Sequence, residues 1–159
     1  MRLVKWQGNK LVDVTDTKED TQAFLRHGAY RYEAGCGGLY GTTTDYEHMA
    51  RMLCSNGMYQ GKQFLRPETV CLMHTEAQKQ HLEPEPGFTW GLSVKIRQNP
   101  ELSGSYAHKG TYGWSGAFGT HFFVCPDEKL EAVFMTNRSD LGGSGSYISE
   151  KVEELVFGS

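Results

Sequence analysis

The sequence predicts an α+β fold in which helices pack on an antiparallel sheet. Three observations lead to this class. Strand-like segments occur in pairs separated by short turns, at residues 3–14 and 120–136, as antiparallel hairpins require. Two segments with helix-start signals lie between those pairs, and a third helical segment ends the chain. Strands and helices do not alternate, so the pattern of a parallel βαβ sheet is missing.

The N-terminal segment is typical of a β-hairpin. Residues 3–7 and 10–14 are strand-like, and Gly8-Asn9 between them can supply the positive φ of a two-residue turn. Residues 15–34 are polar and aperiodic, which predicts a surface loop. The glycine-rich stretch 35–38 follows, where small residues allow close backbone contact.

Three helices are predicted. Thr44 and Glu47 have the spacing of a capping box, so we expect a helix over residues 44–55. Pro67 suits the first turn of a second helix. The tail from Ser146 predicts a third helix, whose apolar residues recur at helical spacing and are expected to pack inward: Ile148, Val152, Leu155 and Val156.

The remaining segments predict strands. Residues 88–96 alternate between apolar and polar side chains without exception, which indicates one half-buried strand. Residues 120–125 and 130–136 predict two more strands. The short turn at 126–129 joins them, so we expect an antiparallel hairpin.

Length and composition narrow the functional classes. The 159 residues suffice for a single domain over residues 1–159 but not for two. A net charge of −3 without long charged runs disfavours nucleic acid or a polybasic membrane contact. No apolar stretch is long enough to span a membrane. Because no signal-like run is visible, we expect a cytoplasmic location for this sequence. If the sequence belongs to a longer protein, the compartment of that protein stays open. Four cysteines without C-x-x-C and six histidines without H-x-x-x-H predict neither a metal site nor a cofactor.

Residues 110–119 are the segment that most favours a catalytic or binding role, because it has four glycines in ten residues directly before a strand. This is either a glycine-rich turn or a strand edge whose amides bind a developing oxyanion. Ser115 nearly matches a G-x-S-x-G elbow, but that motif needs a parallel sheet followed by Asp and then His. His121 is the only later histidine, and it precedes both Asp127 and Asp140. Neither Ser-x-x-Lys nor Tyr-x-Asn occurs, so the sequence holds no complete nucleophile–base set of these kinds.

With these residues in view, the chain resembles the C-terminal part of the serine β-lactamase-like superfamily. The branch it is similar to contains class C β-lactamases, penicillin-binding carboxypeptidases and family VIII esterases. Matching segments occur in family order at residues 35–46, 53–57, 65–70, 87–92 and 113–137. The resemblance implies a partial β-lactamase/transpeptidase-like fold that lacks the family's N-terminal Ser-x-x-Lys region.

The resemblance also implies a site. The family's third active-site motif is Lys-Thr-Gly, or His-x-Gly or Trp-x-Gly in esterase-like members, and Trp114-Ser115-Gly116 is similar to it. The implied roles are substrate contact for these three residues and for Tyr112, and oxyanion binding for the Ala117 amide. A register shifted to residues 111–113 stays open, as does a cleft position for His108. Trp114 in place of Lys removes a cation for a β-lactam carboxylate, which favours a neutral ester or amide.

The implied parent protein acylates a serine on a small-molecule ester, amide or β-lactam and releases the acyl group to water. Because the nucleophile motif is absent, we expect the isolated chain to be inactive. Sheet edges without partner strands favour self-association. The alternatives are a non-catalytic interaction module that uses the same fold and, less favoured, a small metal hydrolase.

Overall fold

The computed structural model describes residues 2–20, 39–75, 85–143 and 145–158. Residues 21–34 of the predicted loop and the glycine-rich stretch 35–38 lie outside these ranges. The strands are β1 Val4–Gln7, β2 Lys10–Asp13, β3 Met58–Tyr59, β4 Lys62–Gln63, β5 Phe88–Trp90, β6 Lys95–Arg97, β7 Tyr112–Ser115, β8 His121–Cys125 and β9 Leu130–Phe134. The helices are α1 Thr43–Cys54, α2 Pro67–Met73, α3 Pro100–Ser103 and α4 Tyr147–Phe157, and a 3-10 turn covers Pro126–Glu128.

The main sheet has five antiparallel strands in the order β5-β6-β7-β8-β9, so each strand pairs with its neighbour in sequence. Separate two-stranded hairpins are formed by β1 with β2 and by β3 with β4. Local antiparallel pairing combined with packed helices confirms the predicted α+β class. Within the described ranges, no helix is both long and apolar enough to cross a membrane.

Two predicted hairpins are confirmed. β1 and β2 pair around Gly8-Asn9, and Gly8 has the positive φ of +59° that the turn needs. β8 and β9 pair from His121 with Phe134 to Cys125 with Leu130, across the predicted turn. Turn residues determine both hairpins locally, which is why short-range patterns were sufficient to predict them.

The alternation at residues 88–96 gave a wrong prediction, because the segment is a hairpin and not one strand. β5 and β6 pair with each other, and the Gly91 amide donates to the Val94 carbonyl 2.9 Å away to close the turn. A side chain at Gly91 would lie 2.0 Å from the Met73 carbonyl oxygen, so only glycine fits where the chain reverses against the end of α2. Alternation identifies side chains that share a face, but it carries no information on where a chain reverses.

The capping residues of α1 differ from those predicted from the sequence. The cap is Thr42 with Asp45, not Thr44 with Glu47: the Thr42 side chain accepts from the Asp45 amide at 3.1 Å, and the Thr42 amide donates to the Asp45 carboxylate at 2.8 Å. Three consecutive threonines offered competing start positions. Glu47 pairs instead with Arg51 one turn later, which fits a residue inside the helix.

The two faces of the main sheet differ in character. One face carries the apolar core with α1 and α2: Ala50, Leu53, Val70, Val94, Ile96, Tyr112, Phe122 and Val124. The opposite face presents Arg97, Ser115 and His121, which are all buried beneath α4. The predicted α4 exists, but it buries Ser149 and Glu153 and leaves Leu155 79% exposed. The expected inward packing of Leu155 is therefore wrong, because the helix turns Ser149 and Glu153 toward the sheet instead.

Candidate functional site

The predicted motif lies on β7, whose two edges are paired unequally. β8 pairs with all four residues of β7, whereas β6 pairs only with Tyr112 and Gly113. Among the described strands, none extends this pairing beyond Gly113 on the β6 side. The end of β7 that carries Trp114 and Ser115 is therefore an open strand edge.

Directly after β7 the chain makes a turn whose carbonyls are occupied. The Gly119 amide donates to the Gly116 carbonyl at 3.2 Å. The Gly143 amide also donates to Gly116, and the Arg138 amide donates to Phe118. Ala117 lies exposed at the tip of this turn, and no described residue accepts a hydrogen bond from its amide.

The close approach of residues 138–143 orients this turn. A side chain at Gly142 would lie only 1.7 Å from the Ala117 carbonyl oxygen, so this glycine allows the two backbones to touch. The carbonyl oxygen of Ala117 is covered in this way, whereas no described residue accepts a hydrogen bond from its amide. An oxyanion donor has to be an amide without an internal partner, which is the state of Ala117 here. Its predicted role stays a prediction.

Trp114 and Tyr112 lie on the same sheet face, but only one of them reaches solvent. Trp114 is 40% exposed and packs against Trp90, with ring centroids 4.7 Å apart. Tyr112 is 1% exposed and stacks on His74, with centroids 4.5 Å apart and planes within 6°. Burial raises the pKa of Tyr112 and lowers that of His74. Tyr112 is thus a core residue in this structure, and of the two aromatic side chains only Trp114 reaches solvent.

Ser115 points to the opposite face, where it is 6% exposed under α4. Its hydroxyl lies 2.8 Å from Nδ1 of His121. Nε2 of His121 lies 3.4 Å from a carboxylate oxygen of Glu153. The other oxygen of Glu153 accepts from Arg97 at 2.6 Å and from Ser105 at 2.7 Å. We call these five residues the Glu153 network.

Glu153 is held in its ionised form by this network. Burial by itself would raise its pKa, but the His121 contact and the charge of Arg97 outweigh burial and hold the pKa of Glu153 below its ordinary value. Burial lowers the pKa of Arg97, and Glu153 opposes that change. The order hydroxyl, imidazole, carboxylate is that of a serine-hydrolase relay. A nucleophile has to reach a carbonyl, however, and Ser115 is covered, so we interpret the network as an anchor between β7, β8 and α4.

A cavity of about 370 Å³ lies along this face and is lined by Arg97, Thr111, Ser115 and Glu153, among others. Within the described part of the chain, Nε of Arg97 and Oγ1 of Thr111 are buried without a hydrogen-bond partner. Lys95 lies at the same cavity, with its Nζ 3.7 Å from the centroid of the Phe88 ring.

Elsewhere, His108, Cys125 and Glu128 form a group that could hold a metal ion.

Sequence reasoning identified Ser115 but missed its partners. His121 faces Ser115 directly across the β7–β8 pair, so a signal existed once both strands were assigned. Glu153 had only a weak signal, as a carboxylate within the apolar pattern of the last helix. The substrate contact predicted for Ser115 is untested, and the structure gives its hydroxyl a buried partner on the face opposite Trp114.

The comparison with known families agrees with this arrangement. The beta-lactamase family model matches residues 6–156, nearly the whole chain. The chain belongs to the beta-lactamase family. The resemblance that the sequence motifs indicated is thereby confirmed.

Individual relatives give the extent of the match. Uncharacterized protein MT1414 of Mycobacterium tuberculosis is 32% identical over 110 residues, which is 62% of this chain and 27% of that protein. Esterase EstB of Burkholderia gladioli is 26% identical over 116 residues, which is 72% of this chain and 28% of EstB. The chain therefore spans less than a third of the length of these curated relatives.

A solved beta-lactamase-fold structure resembles the whole chain. EstCE1, described as a hydrolase with promiscuous acyltransferase activity, superposes with a TM-score of 0.67 over 99% of this chain and 39% of that one. The sequence identity of 24% makes this a likeness of fold. The predicted partial β-lactamase-like architecture is confirmed by this superposition.

Proposed function

We propose that this chain acts as the C-terminal part of a β-lactamase-like serine hydrolase, to which it contributes the oxyanion strand. The observation that carries the proposal is the amide of the exposed residue Ala117, which has no acceptor among the described residues and follows the unpaired edge of β7. The family membership supplies the reaction class, acyl transfer from a small-molecule substrate to water.

In the proposed reaction, a serine of a Ser-x-x-Lys segment attacks the substrate carbonyl, and the Ala117 amide donates to the oxygen that becomes negative. The leaving group departs, and water then hydrolyses the acyl-serine. Trp114 offers an apolar, partly exposed surface on the strand that precedes that amide, and it carries no charge for a carboxylate. We therefore propose a neutral ester or amide as the substrate, ahead of a β-lactam.

The proposal predicts that the isolated chain does not turn over substrate, because its sequence holds no Ser-x-x-Lys. Hydrolysis of a p-nitrophenyl ester by the purified chain is expected to equal the buffer rate. Mixing with a separately expressed segment of a beta-lactamase-family hydrolase that contains Ser-x-x-Lys is expected to restore turnover. An acyl adduct on the isolated chain in mass spectrometry would contradict the proposal, and so would failure of every such complementing segment.

The alternative function is a non-catalytic interaction module. It is favoured by the outer edge of β9, which has no strand partner in the described part of the chain, and by the exposed Leu155 on α4. An unpaired strand edge is a template for pairing with another chain. A stable complex with a partner that lacks Ser-x-x-Lys would favour this alternative over the hydrolase.

The unpaired edge of β9 and the exposed Leu155 of α4 predict self-association of the isolated chain. We expect a concentration-dependent increase in mass by size-exclusion chromatography with light scattering. Ala132→Lys on β9 and Leu155→Glu on α4 are each expected to shift the chain toward monomer. Gln7→Lys on β1 and Leu102→Glu on α3 add the same charges at exposed positions elsewhere and serve as matched controls. A monomer at all concentrations would refute this prediction.

A further inference from the structure

Three metal-ligating side chains converge at one end of the main sheet. Cys125 is the last residue of β8, Glu128 lies in the 3-10 turn after it, and His108 belongs to the loop before β7. Their ligand atoms all lie within 4.8 Å of one another, and Nδ1 of His108 contacts Oε1 of Glu128. Cys125 is buried, whereas the other two are exposed. The group thus combines one preorganised thiol with two adjustable ligands.

We propose that His108, Cys125 and Glu128 bind a zinc ion. Zinc accepts imidazole nitrogen, thiolate sulfur and carboxylate oxygen, and sites with three protein ligands complete their tetrahedron with water. Ligand atoms on one tetrahedral zinc lie roughly 3.5 Å apart, so the group has to contract by about 1 Å. The exposed side chains of His108 and Glu128 can make that movement while Cys125 stays in the core.

The charges and protons balance in this site. A carboxylate and a thiolate supply two negative charges, which neutralise the divalent ion. The Cys125 thiol releases its proton to solvent when the Zn–S bond forms, and His108 binds through a neutral ring nitrogen. Zinc binding is therefore expected to release protons and to strengthen as the pH rises.

The site has a structural consequence. The His108 ring packs against Phe157 of α4, with centroids 5.1 Å apart, and Phe157 packs against Phe123 of β8 at 5.3 Å. A bound ion would join the loop before β7 to the β8–β9 turn, at the place where the last turn of α4 also packs. We therefore assign zinc a stabilising role, and an increase in Tm on zinc addition follows because the folded chain binds the ion.

Cobalt titration of the purified chain tests the proposal. We expect one Co²⁺ per chain, a sulfur-to-cobalt charge-transfer band and the visible bands of a tetrahedral site. Cys125→Ser is expected to abolish the charge-transfer band. Because that change lies in the core, His108→Ala and Glu128→Gln provide exposed variants that leave the core intact, and each is expected to weaken binding at least about tenfold.

Matched controls come from the rest of the chain. Cys71→Ser removes an exposed thiol that does not belong to the proposed site. His48→Ala removes an imidazole that lies 3.8 Å (Nε2 to Oε2) from the carboxylate of Glu47, in a pair that includes no cysteine. Cys36→Ser covers the cysteine outside the described ranges. All three are expected to leave the cobalt spectrum and the zinc-induced rise in Tm unchanged. Absence of a charge-transfer band, or a band insensitive to His108→Ala and Glu128→Gln, would overturn the proposal.

Discussion

Replacing Ala117 by proline is expected to lower kcat by a factor of about 10²–10³ in the enzyme reconstituted with a Ser-x-x-Lys segment, with a much smaller change in KM. Ala117 is the second residue of the turn from Gly116 to Gly119, a position that proline favours. Because no described residue accepts from this amide, the substitution removes an N–H without breaking a hydrogen bond of the fold. The substitution should therefore weaken stabilisation of the transition state and leave the stability of the fold unchanged.

Ala117→Ser is the matched control, since it alters the side chain but keeps the amide. It is expected to retain near-parent kcat. Equal midpoints of urea unfolding for the unsubstituted chain and the proline variant would show that the fold is intact. A fully active Ala117→Pro enzyme would remove Ala117 from the oxyanion role, even if complementation succeeded.

Removing the Glu153 carboxylate is expected to have the largest effect on stability. Glu153→Ala leaves Arg97 buried without its charged partner, and breaking a buried ion pair from one side costs about 3–5 kcal/mol. Glu150 lies on the same helix and is exposed, so Glu150→Ala should cost far less. Urea unfolding of the two variants and the parent measures the difference. Equal unfolding free energies would show that the Glu153 network does not anchor α4.

The pH dependence of stability provides a second measurement on Glu153. Its pKa is lower in the folded chain than the ordinary value of 4.5, so its ionisation stabilises the fold at pH above that value. This contribution is lost as the pH falls below 4.5 toward the folded pKa. Glu153→Gln is expected to flatten that part of the profile, and a variant whose profile parallels the parent's would contradict the assignment.

Local patterns predicted most of the fold. Gly8-Asn9 and the turn at 126–129 specified their hairpins through backbone conformation alone, and Pro67 marked the start of α2. The errors occurred where a local pattern had more than one solution. The alternation at 88–96 was compatible with a strand or a hairpin, and contact with the end of α2 selected the hairpin.

The site was predicted less completely than the fold. The glycine-rich segment drew attention to residues 110–119, and the roles predicted for Trp114, Ser115 and Ala117 came from its resemblance to the family's third motif. Glu153 was not predicted, because it lies on α4, far in sequence from β7. His121 was also missed, although it faces Ser115 across the adjacent strand pair. The proposed zinc ligands were not predicted either, because His108 and Cys125 are too far apart in sequence to form a short metal-binding motif.

Short-range sequence was sufficient to predict the α+β class, the β1–β2 and β8–β9 hairpins and the family resemblance, because turns and motifs act between residues a few positions apart. The folded arrangement alone showed that Tyr112 belongs to the core, that Ser115 faces His121, and that α4 buries a carboxylate while Leu155 stays in solvent. Burial and charge pairing depend on which surfaces meet, and surfaces distant in sequence meet only when the chain is folded.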